Sequence, residues 1–167
     1  RKDLPQIKAI ANWIDTHCAD GEIAYMIPHD TLYCPVHFKN CLLPQTPING
    51  KLAFGFSVPG THYFPMQFFE AKYVLTADPF PLTHVNDPEN EMSHKLNDRF
   101  LAVRDEYFAL EETFDMGNGT TFTIWRRTVA PSRAEVEYYL SAFTEEDAKY
   151  PEMFSQVAEN WLAARGL

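Results

Sequence analysis

The chain has 167 residues, 46% of them hydrophobic and 14% aromatic, enough for one domain with a substantial core. Its formal net charge is −9, and only Arg126-Arg127, with Arg133 nearby, makes a local basic spot. That balance excludes nucleic acid as an expected partner, because phosphate neutralisation needs clustered Lys and Arg.

The first expected element is a helix over 4–17, where Ile7, Ile10, Ala11 and Ile14 recur at helical spacing and Pro5 falls in the first turn. Residues 22–27 form a nearly continuous apolar run, the pattern of a strand buried on both faces. Pro28-His29-Asp30 ends it, and Asp30 is placed to cap a second helix over about 31–38. The stretch 42–60 is punctuated by Pro44, Pro47, Pro59, Gly50, Gly55 and Gly60, and a strand interrupted by Gly55 is expected within it from Leu52 to Ser57.

A short helix is expected over 61–71, then a buried-type strand over 73–77 that Asp78-Pro79 terminates. The longest helix is read over 92–108, from Leu96, Phe100, Val103 and Tyr107. A β-hairpin follows in Phe114–Arg127, with Asn118-Gly119 at its tip suited to a turn that needs φ > 0. Its second strand sends Phe122 and Ile124 to one face and Thr121, Thr123 and Trp125 to the other. Charges and aromatics beyond Pro131 suggest two or three further helices, over 133–143, 145–149 and 151–164.

Helices alternating with strands and closed by a hairpin predict an α/β fold: a doubly wound, Rossmann-like three-layer sandwich with a mostly parallel sheet. Residues 1–130 form the sandwich in this reading, and 131–167 a helical C-terminal extension packed on it. Ligands in such sheets bind beyond the carboxyl ends of the strands. The residues expected there are His29, Asp30 and Tyr33 after the first strand, His62 after the second and Asp78 after the third.

Two carboxylates and two imidazoles in one crevice would suit acid–base work or metal binding. Turn chemistry accounts for the same residues separately, with Asp30 as an N-cap, Asp78 as a turn former and the histidines on the surface. No catalytic residue or metal site is assigned. His84, His94 and the carboxylates of 87–91 match no recognised ligand spacing. No cofactor is expected either, because neither a phosphate-binding loop nor a G-x-G-x-x-G turn is present.

At the end of the hairpin, Trp125 and Arg126-Arg127 suit either a stacking or anion-binding patch, or an edge strand guarded by charge. Cys18, Cys34 and Cys41 allow one disulfide, Cys34 to Cys41, or three buried free thiols.

Three of these segments resemble one family: the helix 7–14 leading into strand 22–27, the strand 73–77 followed by Asp78-Pro79, and the ending Phe114–Arg127. They resemble the soluble C-terminal domains that follow the transmembrane bundle of bacterial multi-pass, lipid-linked-sugar-dependent glycosyltransferases, mannosyltransferase-like enzymes and related membrane proteins. The resemblance covers roughly residues 4–127, and the segments that match hold no catalytic residue of the family.

It implies an accessory, non-catalytic domain on the extracytoplasmic face of the cell membrane. Its expected partners are the membrane portion of the parent protein and a glycan or lipid-linked acceptor. A chain that opens on Arg1 without a methionine is expected for part of a longer protein. The alternative expectation is a free-standing small α/β hydrolase or transferase using the His/Asp crevice.

Overall fold

A computed structural model describes residues 1–28, 32–41, 48, 50–55, 64–81, 88–144 and 151–167, without the side chains of 88–91 and 151–152. In chain order the elements are α1 (Leu4–His17), β1 (Ala24–Met26), α2 (Pro35–Asn40), β2 (Leu52–Phe54), α3 (Met66–Glu70) and β3 (Tyr73–Asp78). They continue with α4 (Pro88–Tyr107), β4 (Phe108–Asp115), β5 (Thr121–Arg127), α5 (Arg133–Thr144) and α6 (Pro151–Ala163).

The five strands form one open sheet in the order β2-β1-β3-β5-β4. β1 pairs in parallel with β2 and β3, and β5 runs antiparallel to both β3 and β4. Four strands therefore share a direction, and the fold is a mixed α/β arrangement with a mostly parallel sheet.

Continuous burial of β1 follows from cover on both faces, because successive side chains point to opposite sides of a strand. Ala24 and Met26 join Ile7, Ile10 and Ile14 of α1, Phe38 of α2, and Leu75, Phe122 and Ile124 of the sheet. Tyr25 joins Val74 and Trp125 on the opposite face, under Phe68 and Phe69 of α3, Leu96 and Phe100 of α4, Tyr139 of α5 and Phe154 of α6. The division of Phe122 and Ile124 from Trp125 matches the alternation expected from the hairpin sequence.

Several local expectations are corrected. α2 starts at Pro35, with Cys34 in extended backbone (φ −66°, ψ 130°), because a residue before proline is pushed out of the helical region. α3 likewise starts after Pro65, at Met66. The longest helix gives way to β4 at Phe108 with no intervening loop, and β4 is an outer strand, at the opposite edge from β2. Arg126 and Arg127 are therefore not on an edge: β5 lies between β3 and β4.

Arg126 pairs with Glu111 of β4, and Arg127 with the buried Glu135 of α5. The hairpin tip spans Met116–Thr120, and its left-handed residues are Gly117 (φ 71°) and Gly119 (φ 88°) rather than Asn118. Asn118 contributes its side chain instead, accepting the Thr120 N–H through Oδ1. Of the tail aromatics, Tyr139, Phe154 and Trp161 are buried in the core, while Tyr150 lies outside the described residues.

Candidate functional site

The chain passes from β1 to β2 on one side and then to β3 on the other, so the strand order reverses between β1 and β3. At such a point the crossovers leave in opposite directions and open a crevice beyond the carboxyl ends. Ile27-Pro28 leave β1 there and Asp78-Pro79 leave β3. His29, Asp30 and His62 of the expected site lie outside the described residues, as does His84.

Asp78 is exposed and sits opposite Thr121, the first residue of β5. Tyr33 is buried (1% exposed), packed edge-on to Phe122 with ring centroids 5.0 Å apart. Its hydroxyl accepts a hydrogen bond from Asn118 Nδ2 at 2.7 Å. Both residues thus touch the same hairpin end, Asp78 through the ladder and Tyr33 through the tip.

On the α4 side of β3 is a polar group that the sequence reading did not single out. Thr76, Ser93 and Asn97 are all buried, and the Thr76 hydroxyl donates to Asn97 Oδ1. Ser93 and Asn97 share a helix face at i, i+4 with the apolar Leu96 and Phe100 beside them. Polar residues interrupting an apolar stripe were the available signal. His94 stands edge-on to Phe80, with ring centroids 4.8 Å apart.

Beside β1 and β2, on the α3 side, a cavity of about 290 Å³ is lined by Tyr25, Phe54, Gly55, Phe64, Pro65, Met66 and Gln67. Tyr25 is fully buried, and burial pushes its phenol well above the usual tyrosine range against the opposing pull of the Gly55 backbone N–H. The close approach explains the glycine after β2: a Cβ at position 55 would lie 2.7 Å from Tyr25 Oη.

The described thiols are free, with Cys18 buried and Cys34 and Cys41 half-buried. Cys34 and Cys41 cap the two ends of the six-residue α2. Seven residues apart at a rise of roughly 1.5 Å per residue, they stand about 10 Å apart, too far for a disulfide. Burial pushes the Cys18 thiol up to about 11, so it is a poor nucleophile at neutral pH.

Among the described residues no group of three or more His, Cys, Asp or Glu side chains is placed to hold a metal ion. Among the same residues no helix is long and apolar enough to cross a membrane. No known protein family, curated protein sequence or solved structure matches the chain.

Proposed function

We propose that the chain is a non-catalytic accessory domain of a membrane-bound cell-envelope glycosyltransferase or similar membrane protein. In this reading it stands on the extracytoplasmic face against the membrane portion of its parent, and its Rossmann-like carboxyl edge receives the apolar part of a lipid-linked acceptor. The observation that carries the reading is the cavity at that edge. Its walls are Phe54, Phe64, Pro65 and Met66, and the buried hydroxyl of Tyr25 is engaged by Gly55. Walls of this kind take up an apolar group, and a phenol held protonated among them supplies no base or nucleophile at neutral pH.

The test compares the parent protein with a version lacking these residues, assayed in membranes for transfer from a lipid-linked sugar. Transfer that persists with weakened acceptor binding is expected, together with no turnover by the isolated chain. Turnover by the isolated chain, abolished in Asp78→Ala at unchanged Tm, would overturn this reading. It would establish instead a free-standing hydrolase or transferase working through the exposed Asp78 and its crevice.

A further inference from the structure

The opposite, amino edge of the sheet holds a buried charge pair that the crevice does not use. Arg127 ends β5 with its side chain 9% exposed, and Glu135 in the first turn of α5 has none of its side chain exposed. Glu135 takes the guanidinium by one nitrogen: its two oxygens accept from Nη1, at 3.0 and 2.9 Å. Nε and Nη2 form the edge of a guanidinium that grips paired oxygens, and both are buried with no partner among the described residues.

Tyr139 Oη is in the same condition, four residues along α5 on the face of Glu135. Phe108 and Phe68 lie 4.6 and 5.9 Å from the guanidinium carbon, and the Tyr139 ring is 4.8 Å from that of Phe68. Donors left bare in so apolar a setting are a large cost, and native interiors almost always satisfy them.

We infer that Arg127 Nε and Nη2 hold an internal water molecule, with the Tyr139 hydroxyl as its further anchor. The occupant must offer lone pairs to two N–H groups. An anion would do so only by setting a second negative group against the one guanidinium that Glu135 already neutralises, where little solvent screens the repulsion. Water offers two lone pairs with no charge, and internal waters commonly make about three bonds to such otherwise bare groups. The bound water completes the joint that fixes the start of α5 to the end of β5.

The experiment observes the Arg127 Nε–H resonance in the isotopically labelled full chain. Slow exchange and a cross-peak to water are expected, and Tyr139→Phe should shift the resonance and weaken the cross-peak. A crystal structure at high resolution should place one water within about 3.2 Å of both nitrogens. Absence of both the cross-peak and the density would overturn the inference. A resonance that moves on adding sodium phosphate or chloride at constant ionic strength would replace the water with an anion. An unchanged spectrum in Tyr139→Phe would remove the tyrosine from the site and with it the three-point anchoring.

Discussion

One face of the sheet is covered mainly by aliphatic side chains, Ile7, Ile10 and Ile14, set by the period of a single helix, with Tyr33 and Phe38 beside them. The other is closed by aromatics from four helices, two strands and the segment before α3: Phe64, Phe68, Phe69, Phe100, Phe108, Trp125, Tyr139, Phe143, Phe154 and Trp161. The first face keeps its polar links at the rim, as in Tyr33 to Asn118. The second encloses a full charge pair and the Thr76–Asn97 bond. Aliphatic burial from one helix is redundant along its stripe, whereas an aromatic cluster drawn from distant segments depends on a few central rings.

Phe68 is the ring that most sharpens this contrast, since it contacts Tyr25, Phe69, Phe100, Phe108 and Tyr139. Phe68→Ala is expected to cost about 3–5 kcal/mol, and Ile10→Val on the other face only about 0.5–1.5 kcal/mol. Urea midpoints at unchanged slope measure both, and equal losses would break the comparison.

A smaller effect is expected at the rim. Tyr33→Phe keeps the ring packing on Phe122 and removes one hydrogen bond, a loss of about 1 kcal/mol by the same measurement.

The smallest effect is a difference of sign with pH. On the aliphatic side, Asp3 accepts from Arg1 at 2.6 and 3.0 Å, which holds its carboxyl below the usual range. Its contribution to stability is present above its ordinary pKa and is lost as pH falls through the lowered one. On the aromatic side, burial pushes Glu135 up, against the pull of Arg127. Its contribution is full below its ordinary pKa and is lost as pH rises through the raised one. Stability measured from about pH 3 to 7 should therefore lose acid sensitivity in Asp3→Asn and lose the opposite slope in Glu135→Gln. Changes of slope of the same sign in the two variants, each measured against the unsubstituted chain, would refute the assignment.

The same division governs how much could be seen in the sequence. α1 was legible to the residue because Ile7, Ile10 and Ile14 carry their period within one segment. The two faces of β5 were legible because alternation is local. Strand order was not, because nothing local decides whether β5 lies at the edge or inside.

The start of β4 was hidden because Phe108 extends the apolar run of Phe100, Val103 and Tyr107, so the helical pattern continues one residue into the strand. Tyr33 was expected in the crevice, but its role depends on Asn118, 85 residues away. Thr76 and Asn97 form their bond across 21 residues, and only the polar interruptions on α4 hinted at it. Of the expected crevice, the described residues bring Asp78 and Tyr33 to one hairpin end.

The direct passage from α4 into β4 has a mechanical consequence. The helix spans roughly 30 Å at its 20 residues, and no loop lies between Tyr107 and Phe108 to absorb torsion. The joint is clamped where both the N–H and the hydroxyl of Thr128 bond to the Tyr107 carbonyl, at 2.8 and 3.0 Å. Helix and strand therefore act as a single strut. The carboxyl end of α4 is thereby tied directly to the start of β4, so the helix that carries Asn97 also sets where an outer strand of the sheet begins.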